Sequence, residues 1–129
     1  MAGIRHVAIW TKDLEKIRGF YIRYFSASSG KKYINPLKKF SSYLLTFQDG
    51  GMLEIMHRPD ISEIKDPVNE HIGLAHIAIG VGSREEVMDI TEKLQNNGFQ
   101  VIGLPRVTGD GFFESVVLDP EGNRVEITV

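Results

Sequence analysis

Apolar and polar residues follow two periodic patterns along this chain, one with a period of two residues and one with a period near 3.6. The first pattern is typical of β-strands with one buried face, and the second of amphipathic helices. One helix is predicted after Thr11-Lys12-Asp13, with Thr11 or Asp13 as its cap, and another after the capping box Ser83-Arg84-Glu85-Glu86. Strands are predicted over residues 3–10, 40–47, 52–56, 73–81, 99–103, 112–118 and 124–129, with a further irregular strand in 31–40.

The order of these elements is repeated. Gly3-Ile4-Arg5-His6-Val7-Ala8-Ile9 returns as Gly73-Leu74-Ala75-His76-Ile77-Ala78-Ile79, with the Gly, His, Ala and Ile shared. One module alone would leave a face of its small sheet bare, so two copies are expected to share a core. We predict an α+β fold in which tandem βαβββ modules form one curved, mostly antiparallel eight-stranded sheet, with helices outside and a cleft inside. The predicted domain is 1–129, made of module 1 (about 3–57), a linker (58–72) and module 2 (about 73–129).

Composition narrows the classes of function. The chain has 129 residues, 15 basic and 17 acidic side chains and no cysteine. A net charge of −2 gives no general attraction to nucleic acid or anionic lipid, so a small-molecule substrate is expected. The lack of cysteine excludes disulfides, thiolate ligands and a thiol nucleophile. Without an apolar run of membrane-spanning length or a signal peptide, the expected location is the cytoplasm.

Two histidines and two glutamates recur at matched positions of the repeat, which predicts a metal site. His6 corresponds to His76, and Glu54 in Met-Leu-Glu-Ile corresponds to Glu126 in Arg-Val-Glu-Ile. An inward-facing carboxylate is costly to bury unless it is paired, and a divalent cation removes that cost. Two imidazoles and two carboxylates suit zinc or nickel first, with cobalt, manganese or iron as alternatives.

The alternative for any single histidine is a structural, hydrogen-bonded role. His57 and His71 lie outside the repeated pattern, and both are expected to be solvated.

The paired Gly-x-x-His-x-Ala-Ile strands, the turn Asp119-Pro120-Glu121-Gly122-Asn123 and the closing Val125-Glu126-Ile127 resemble the glyoxalase/bleomycin resistance/dioxygenase, or vicinal oxygen chelate, superfamily. The resemblance spans essentially the whole chain and implies that His6, Glu54, His76 and Glu126 are the metal ligands. This ligand set is most similar to glyoxalase I, a lyase or isomerase that moves a proton next to a carbonyl through a metal-bound enediolate. It also implies a homodimer.

Other members of the superfamily remain as alternatives. Extradiol dioxygenases and fosfomycin-resistance enzymes use two histidines and one glutamate, and CoA-thioester epimerases usually carry a glutamine at one ligand position. Bleomycin-binding relatives, which sequester an antibiotic, generally lack the ligands.

Two positions depart from the glutathione-dependent relatives, which have an arginine four residues after the first ligand and an asparagine four after the second. Here these positions are Trp10 and Arg58, which weakens the expectation that glutathione is used and leaves the metal site unaffected. Resemblance favours Glu126 as the catalytic base, with Glu54 as the other candidate. The expected substrate contacts are Trp10, Met56, Arg58 and Arg124, with the loop 104–111 as a lid.

Overall fold

The computed structural model describes residues 1–62, 69 and 72–129. The chain forms two compact units, Met1–Glu63 and Ile64–Val129, and each is described by itself. His71 and most of the predicted linker (residues 63–68, 70 and 71) lie outside the described residues.

Neither helix in the described part of the chain has the length and apolar character needed to cross a membrane.

Unit 1 contains one helix and a five-stranded mixed sheet. The elements are β1 (His6–Trp10), α1 (Leu14–Phe25), β2 (Ser28–Ser29), β3 (Tyr33–Asn35), β4 (Phe40–Thr46) and β5 (Met52–His57). The central path of the sheet has the order β1-β5-β4-β2, and β3 pairs with another part of β4. The first and last strands, β1 and β5, are parallel neighbours, while the remaining pairs are antiparallel.

The helix of unit 1 covers one face of this sheet. It begins after Asp13, whose side chain accepts a hydrogen bond from the amide of Lys16. Its apolar face packs against buried residues of β4 and β5, so the opposite face of the sheet is available for a site. The buried residues are Leu14, Ile17, Phe20, Tyr21, Tyr24 and Phe25 on the helix, and Leu45, Leu53 and Ile55 on the strands.

Unit 2 repeats this plan with one helix and a four-stranded sheet, and its elements are β6 (Ile77–Gly80), α2 (Arg84–Asn96), β7 (Val101–Val107), β8 (Phe113–Leu118) and β9 (Arg124–Thr128). The sheet has the order β6-β9-β8-β7, in which the first and last strands, β6 and β9, are again parallel neighbours. The helix begins after Ser83, whose hydroxyl accepts from the amide of Glu86, as the capping box predicts.

The core of unit 2 contains a buried polar contact between helix and sheet. The Thr91 hydroxyl donates to the carbonyl of Val87 at 2.5 Å and lies 2.7 Å from the Ser115 hydroxyl. Thr91 is almost completely buried and Ser115 completely so. Apolar side chains surround this contact, namely Val87, Leu94, Val117, Val125 and Ile127.

The predicted fold class is confirmed, and three details are corrected. The described residues form nine strands rather than eight, because residues 28–35 supply two short strands. These strands belong to two hydrogen-bonded sheets, one in each unit, rather than to one. The predicted loop 104–111 is partly wrong, since β7 continues to Val107. Register shifts along this edge strand accommodate Pro105, which lacks an amide hydrogen.

Candidate functional site

A histidine and a glutamate meet on the open face of the unit 1 sheet. His6 begins β1, and Glu54 lies on the parallel strand β5, opposite Ala8. The two side chains are therefore diagonal neighbours on one face, and His6 Nε2 lies 3.3 Å from Glu54 Oε2. They are 44% and 28% exposed, so both remain accessible to a ligand.

Unit 2 contains the same arrangement. His76 immediately precedes β6, and Glu126 lies on β9 opposite Ala78. His76 Nε2 is 3.2 Å from Glu126 Oε2, with the side chains 42% and 18% exposed. Each unit thus brings one sequence-predicted histidine together with its predicted glutamate.

These pairs supply donors that suit a divalent transition metal. In each pair an imidazole nitrogen and a carboxylate oxygen converge within hydrogen-bonding range, and both atom types are ligands for zinc and related ions. Within residues 1–62, 69 and 72–129, no group of three or more His, Cys, Asp or Glu side chains is placed to hold a metal ion. The donor chemistry of each pair fits a metal, and each unit contains one such pair.

A second carboxyl, not predicted from the sequence, lies beside Glu126. Glu114 on β8 is buried. It pairs with Thr128, two residues beyond Glu126 on β9, and lies on the same face of the sheet as Glu126. A hydrogen bond with Glu126, burial and the negative charge of Glu126 raise the pKa of Glu114 to about 7, although Arg106 acts in the opposite direction. Glu114 is therefore partly protonated near neutral pH. Its sequence signal is an acidic residue inside the apolar strand 112–118, with the same parity as the strand's site-facing positions.

Two residues further along the strands of unit 1, the paired residues on the same face include two aromatic rings. Pairing places Trp10, Met56, Ser42 and Tyr33 side by side across β1, β5, β4 and β3. Arg58 follows β5, and its guanidinium carbon lies 5.1 Å from the centre of the Trp10 ring. Trp10, Met56 and Arg58, which were predicted to contact substrate, are thus neighbours near the His6–Glu54 pair.

The remaining predicted residues have other surroundings. Arg124 begins β9 and pairs with Leu118, two positions before Glu126 and on the same face. In the predicted lid, residues beyond β7 form a hydrogen-bonded turn, in which the amide of Thr108 donates to the carbonyl of Phe112 at 2.7 Å. The expectation that His57 is solvated is wrong: it is half-buried, with Nδ1 3.0 Å from the carbonyl of Thr11.

The turn before β9 positions Glu126 through its own hydrogen bonds. The buried Asp119 carboxylate accepts from the amides of Glu121 and Asn123 and from the Asn123 side chain, each at 2.9 Å. Gly122 adopts a left-handed conformation (φ 86°), which the turn requires. This motif fixes where β9 starts and therefore which residues face the site.

Comparisons with known proteins agree with this architecture. The family model of the Glyoxalase/Bleomycin resistance protein/Dioxygenase superfamily matches residues 3–127. The chain belongs to this superfamily.

The individual relatives have low sequence identity to this chain. The chain is 28% identical to the uncharacterised protein YqjT of Bacillus subtilis, with 96% of each chain covered. Among solved structures, the trypanothione-dependent glyoxalase I of Leishmania major superposes with a TM-score of 0.78 at 21% identity, covering 99% of this chain and 86% of that one. A glyoxalase I variant from Zea mays gives 0.76 at 20% identity; this chain covers 43% of it and is itself 96% covered. At these identities the structural likeness shows the fold alone.

Proposed function

We propose that this protein is a metal-dependent lyase or isomerase of the glyoxalase I type, which moves a proton between carbon atoms next to a carbonyl group. The observation that carries the proposal is the matched pair of His–Glu contacts, at 3.3 and 3.2 Å, at corresponding register positions of the two units. Such a duplication gives two nitrogen and two oxygen donors, the set that the sequence resemblance assigns to glyoxalase I.

His6, Glu54, His76 and Glu126 are the proposed ligands, with zinc or nickel as the expected ion. When bound, the cation would act as a Lewis acid that polarises the substrate carbonyl and makes the adjacent C–H group more acidic. The four side chains would bind the ion and fix its position, and their two carboxylates would balance its charge.

Glu126 is the proposed general base. One of its carboxylate oxygens accepts the proton from the substrate carbon and returns it to the neighbouring carbon, so no external acid or oxidant is consumed. Glu114 supports this role because, when it is protonated, its hydrogen bond to Glu126 orients the Glu126 carboxylate. Glu54 is the alternative base, and exchanging the two assignments leaves the ligand set unchanged.

Metal content tests the proposal first. The purified protein is expected to contain about one divalent ion per chain, measured by elemental analysis after dialysis. Glu54→Gln and His76→Ala should each lower this content strongly. Glu92→Gln changes an exposed glutamate of α2 and serves as the matched control. Undiminished metal in both site variants would contradict the ligand assignment.

Activity distinguishes the classes within the superfamily. The loaded protein is expected to isomerise the hemithioacetal of methylglyoxal with glutathione or another thiol. Catechol cleavage with ferrous iron would instead indicate a dioxygenase, and epimerisation of a CoA thioester would indicate an epimerase. Tight antibiotic binding without turnover would indicate a resistance protein.

We further propose a cytoplasmic homodimer that binds a small molecule. Subunit mixing tests whether the two pairs of one site come from different chains. Glu54→Gln and Glu126→Gln proteins, each inactive alone, are mixed after mild unfolding. If the pairs come from different chains, mixed dimers regain activity at one site, whereas pairs from the same chain give no recovery.

A further inference from the structure

An aromatic surface lies on the site face of the unit 1 sheet. We call it the aromatic shelf and define it as Trp10, Tyr33, Phe40, Met56 and Arg58. The Phe40 ring centre lies 6.1 Å from that of Trp10 and 6.0 Å from that of Tyr33, so Phe40 joins the two. Trp10 is 39% exposed and Tyr33 55% exposed, although both contact other rings. Exposed, fixed aromatic rings are suited to contact with another ring.

The shelf is held rigidly by the strand ends beneath it. The amide and hydroxyl of Thr11 both donate to the carbonyl of Met56, at 2.7 and 3.1 Å, and His57 contacts the carbonyl of Thr11. These contacts connect the residues that follow Trp10 to the end of β5. A rigid ring loses little conformational freedom when a ligand stacks on it, which favours binding.

Charge on the shelf is already balanced. Arg58 Nε donates to Asp60 Oδ1 at 2.6 Å while its guanidinium lies over Trp10. Because this interaction lowers the pKa of Asp60, the pair stays ionised at neutral pH. The shelf therefore favours an uncharged ring over an anionic group.

The shelf lies two residues along the strands from Glu54, one of the proposed metal ligands. Trp10 is two residues beyond Ala8, which is the partner of Glu54, and two residues of strand span about 7 Å. This distance suits a substrate whose ring stacks on the shelf while a linker of a few atoms places its carbonyl group beside Glu54. The corresponding row of unit 2 is polar, with Gly80, Thr128 and Glu114 in register.

We infer that the aromatic shelf binds an uncharged aryl group, which makes aryl-substituted carbonyl compounds the substrate class of the proposed site. The position of the ring within a substrate rests on the proposed function, whereas ring binding itself does not.

Trp10 is the chain's only tryptophan, so its fluorescence reports on the shelf directly. Metal-free protein is titrated with 3-phenyl-1-propanol and, as a matched probe without a π system, 3-cyclohexyl-1-propanol. The aryl alcohol is expected to change Trp10 emission saturably and to bind at least about fivefold more tightly than the cyclohexyl alcohol. Equal affinities, or no saturable change with the aryl probe, would overturn the inference.

Variants locate the binding. Tyr33→Leu is expected to weaken the aryl alcohol about 3- to 10-fold, whereas Phe112→Leu, at an exposed aromatic position of unit 2, should leave it unchanged. Trp10→Leu is measured by ligand-observed NMR and should lose binding. Unchanged binding in Tyr33→Leu and Trp10→Leu would refute the assignment. So would a shift of Trp10 emission with protein concentration alone, which would indicate that a second copy covers the shelf.

The experiments on metal content and on aryl binding have independent outcomes. Aryl binding in metal-free protein stands even if Glu54→Gln retains full metal, and loss of metal in that variant stands even if the aryl probe does not bind. In the active protein, phenylglyoxal should be preferred over methylglyoxal in kcat/KM, and Trp10→Leu should reduce that preference. An unchanged preference in this variant would contradict the substrate class.

Discussion

Replacing Thr91 with valine tests how the sheet of unit 2 is attached to its helix. Valine has nearly the shape of threonine, so the change removes a hydroxyl and creates little cavity. In the native chain Thr91 donates to the Val87 carbonyl, and Ser115 therefore directs its own hydroxyl hydrogen toward Thr91. After the substitution the completely buried Ser115 hydroxyl loses that partner.

The expected cost follows from this loss. Leaving a buried polar group unsatisfied costs roughly 1–3 kcal/mol, whereas losing one of two bonds to a shared acceptor costs about 0.5–1 kcal/mol. Thr11→Val is the matched control, because the Met56 carbonyl keeps its bond from the Thr11 amide. We expect Thr91→Val to lower the free energy of unfolding by about 2 kcal/mol, and Thr11→Val by less than about 1 kcal/mol.

Urea denaturation followed by far-UV circular dichroism measures both values. Adding Ser115→Ala to Thr91→Val removes the unsatisfied hydroxyl, so the double variant should be less destabilised than the sum of the single variants by about 1 kcal/mol or more. Equal costs for the two threonine substitutions, together with additive single and double variants, would refute this reasoning.

Three further predictions concern the site and its supports. In metal-free protein the free energy of unfolding should fall as pH rises from about 4.5 to about 7, because folded Glu114 keeps its proton to higher pH than the unfolded chain does. Glu114→Gln should flatten this decline, measured by urea denaturation across that range; an equally steep decline would contradict it. Asp119→Ala should lower the free energy of unfolding by about 2–3 kcal/mol, since its buried carboxylate accepts three hydrogen bonds. An unchanged free energy in the same urea assay would contradict a stabilising role for the turn. Ser83→Ala should cost about 1 kcal/mol through loss of the α2 cap, seen as a lower Tm, and an unchanged Tm would exclude that role.

Periodicity predicted the parts of this fold that depend on local pattern. The buried residues of α1 are those spaced three and four apart in the sequence. Ser83 caps α2 as predicted, and of the two candidates for α1 the structure has Asp13 rather than Thr11 as the cap. Strand alternation also predicted which side of β1 and β5 carries His6 and Glu54. These features depend only on the spacing and type of residues close together in the chain, which can be read from the sequence.

Other features depend on pairing between distant residues and could not be predicted. Alternation shows that Glu114 and Glu126 face the same way, but only the β8–β9 register places them side by side and raises the pKa of Glu114. The two-residue strand β2 contains too few residues for a period to be recognised, whereas β3 lies within the irregular strand predicted in 31–40. The strand around Pro105 was missed because a proline and nearby glycines usually indicate a loop.

The metal assignment stays a prediction, since its support is the contact within each pair and the resemblance of the sequence. The metal content of Glu54→Gln and His76→Ala decides it.

The parallel neighbours β1–β5 and β6–β9 have a consequence for how the protein matures. In each unit the histidine is made near the start and its glutamate on the last strand, so neither contact can form until almost the whole unit has left the ribosome. A chain interrupted before Arg124 would have His76 but lack its carboxylate companion. If the proposed ligands are correct, the complete ligand set would exist only after the last strand of each unit has been synthesised.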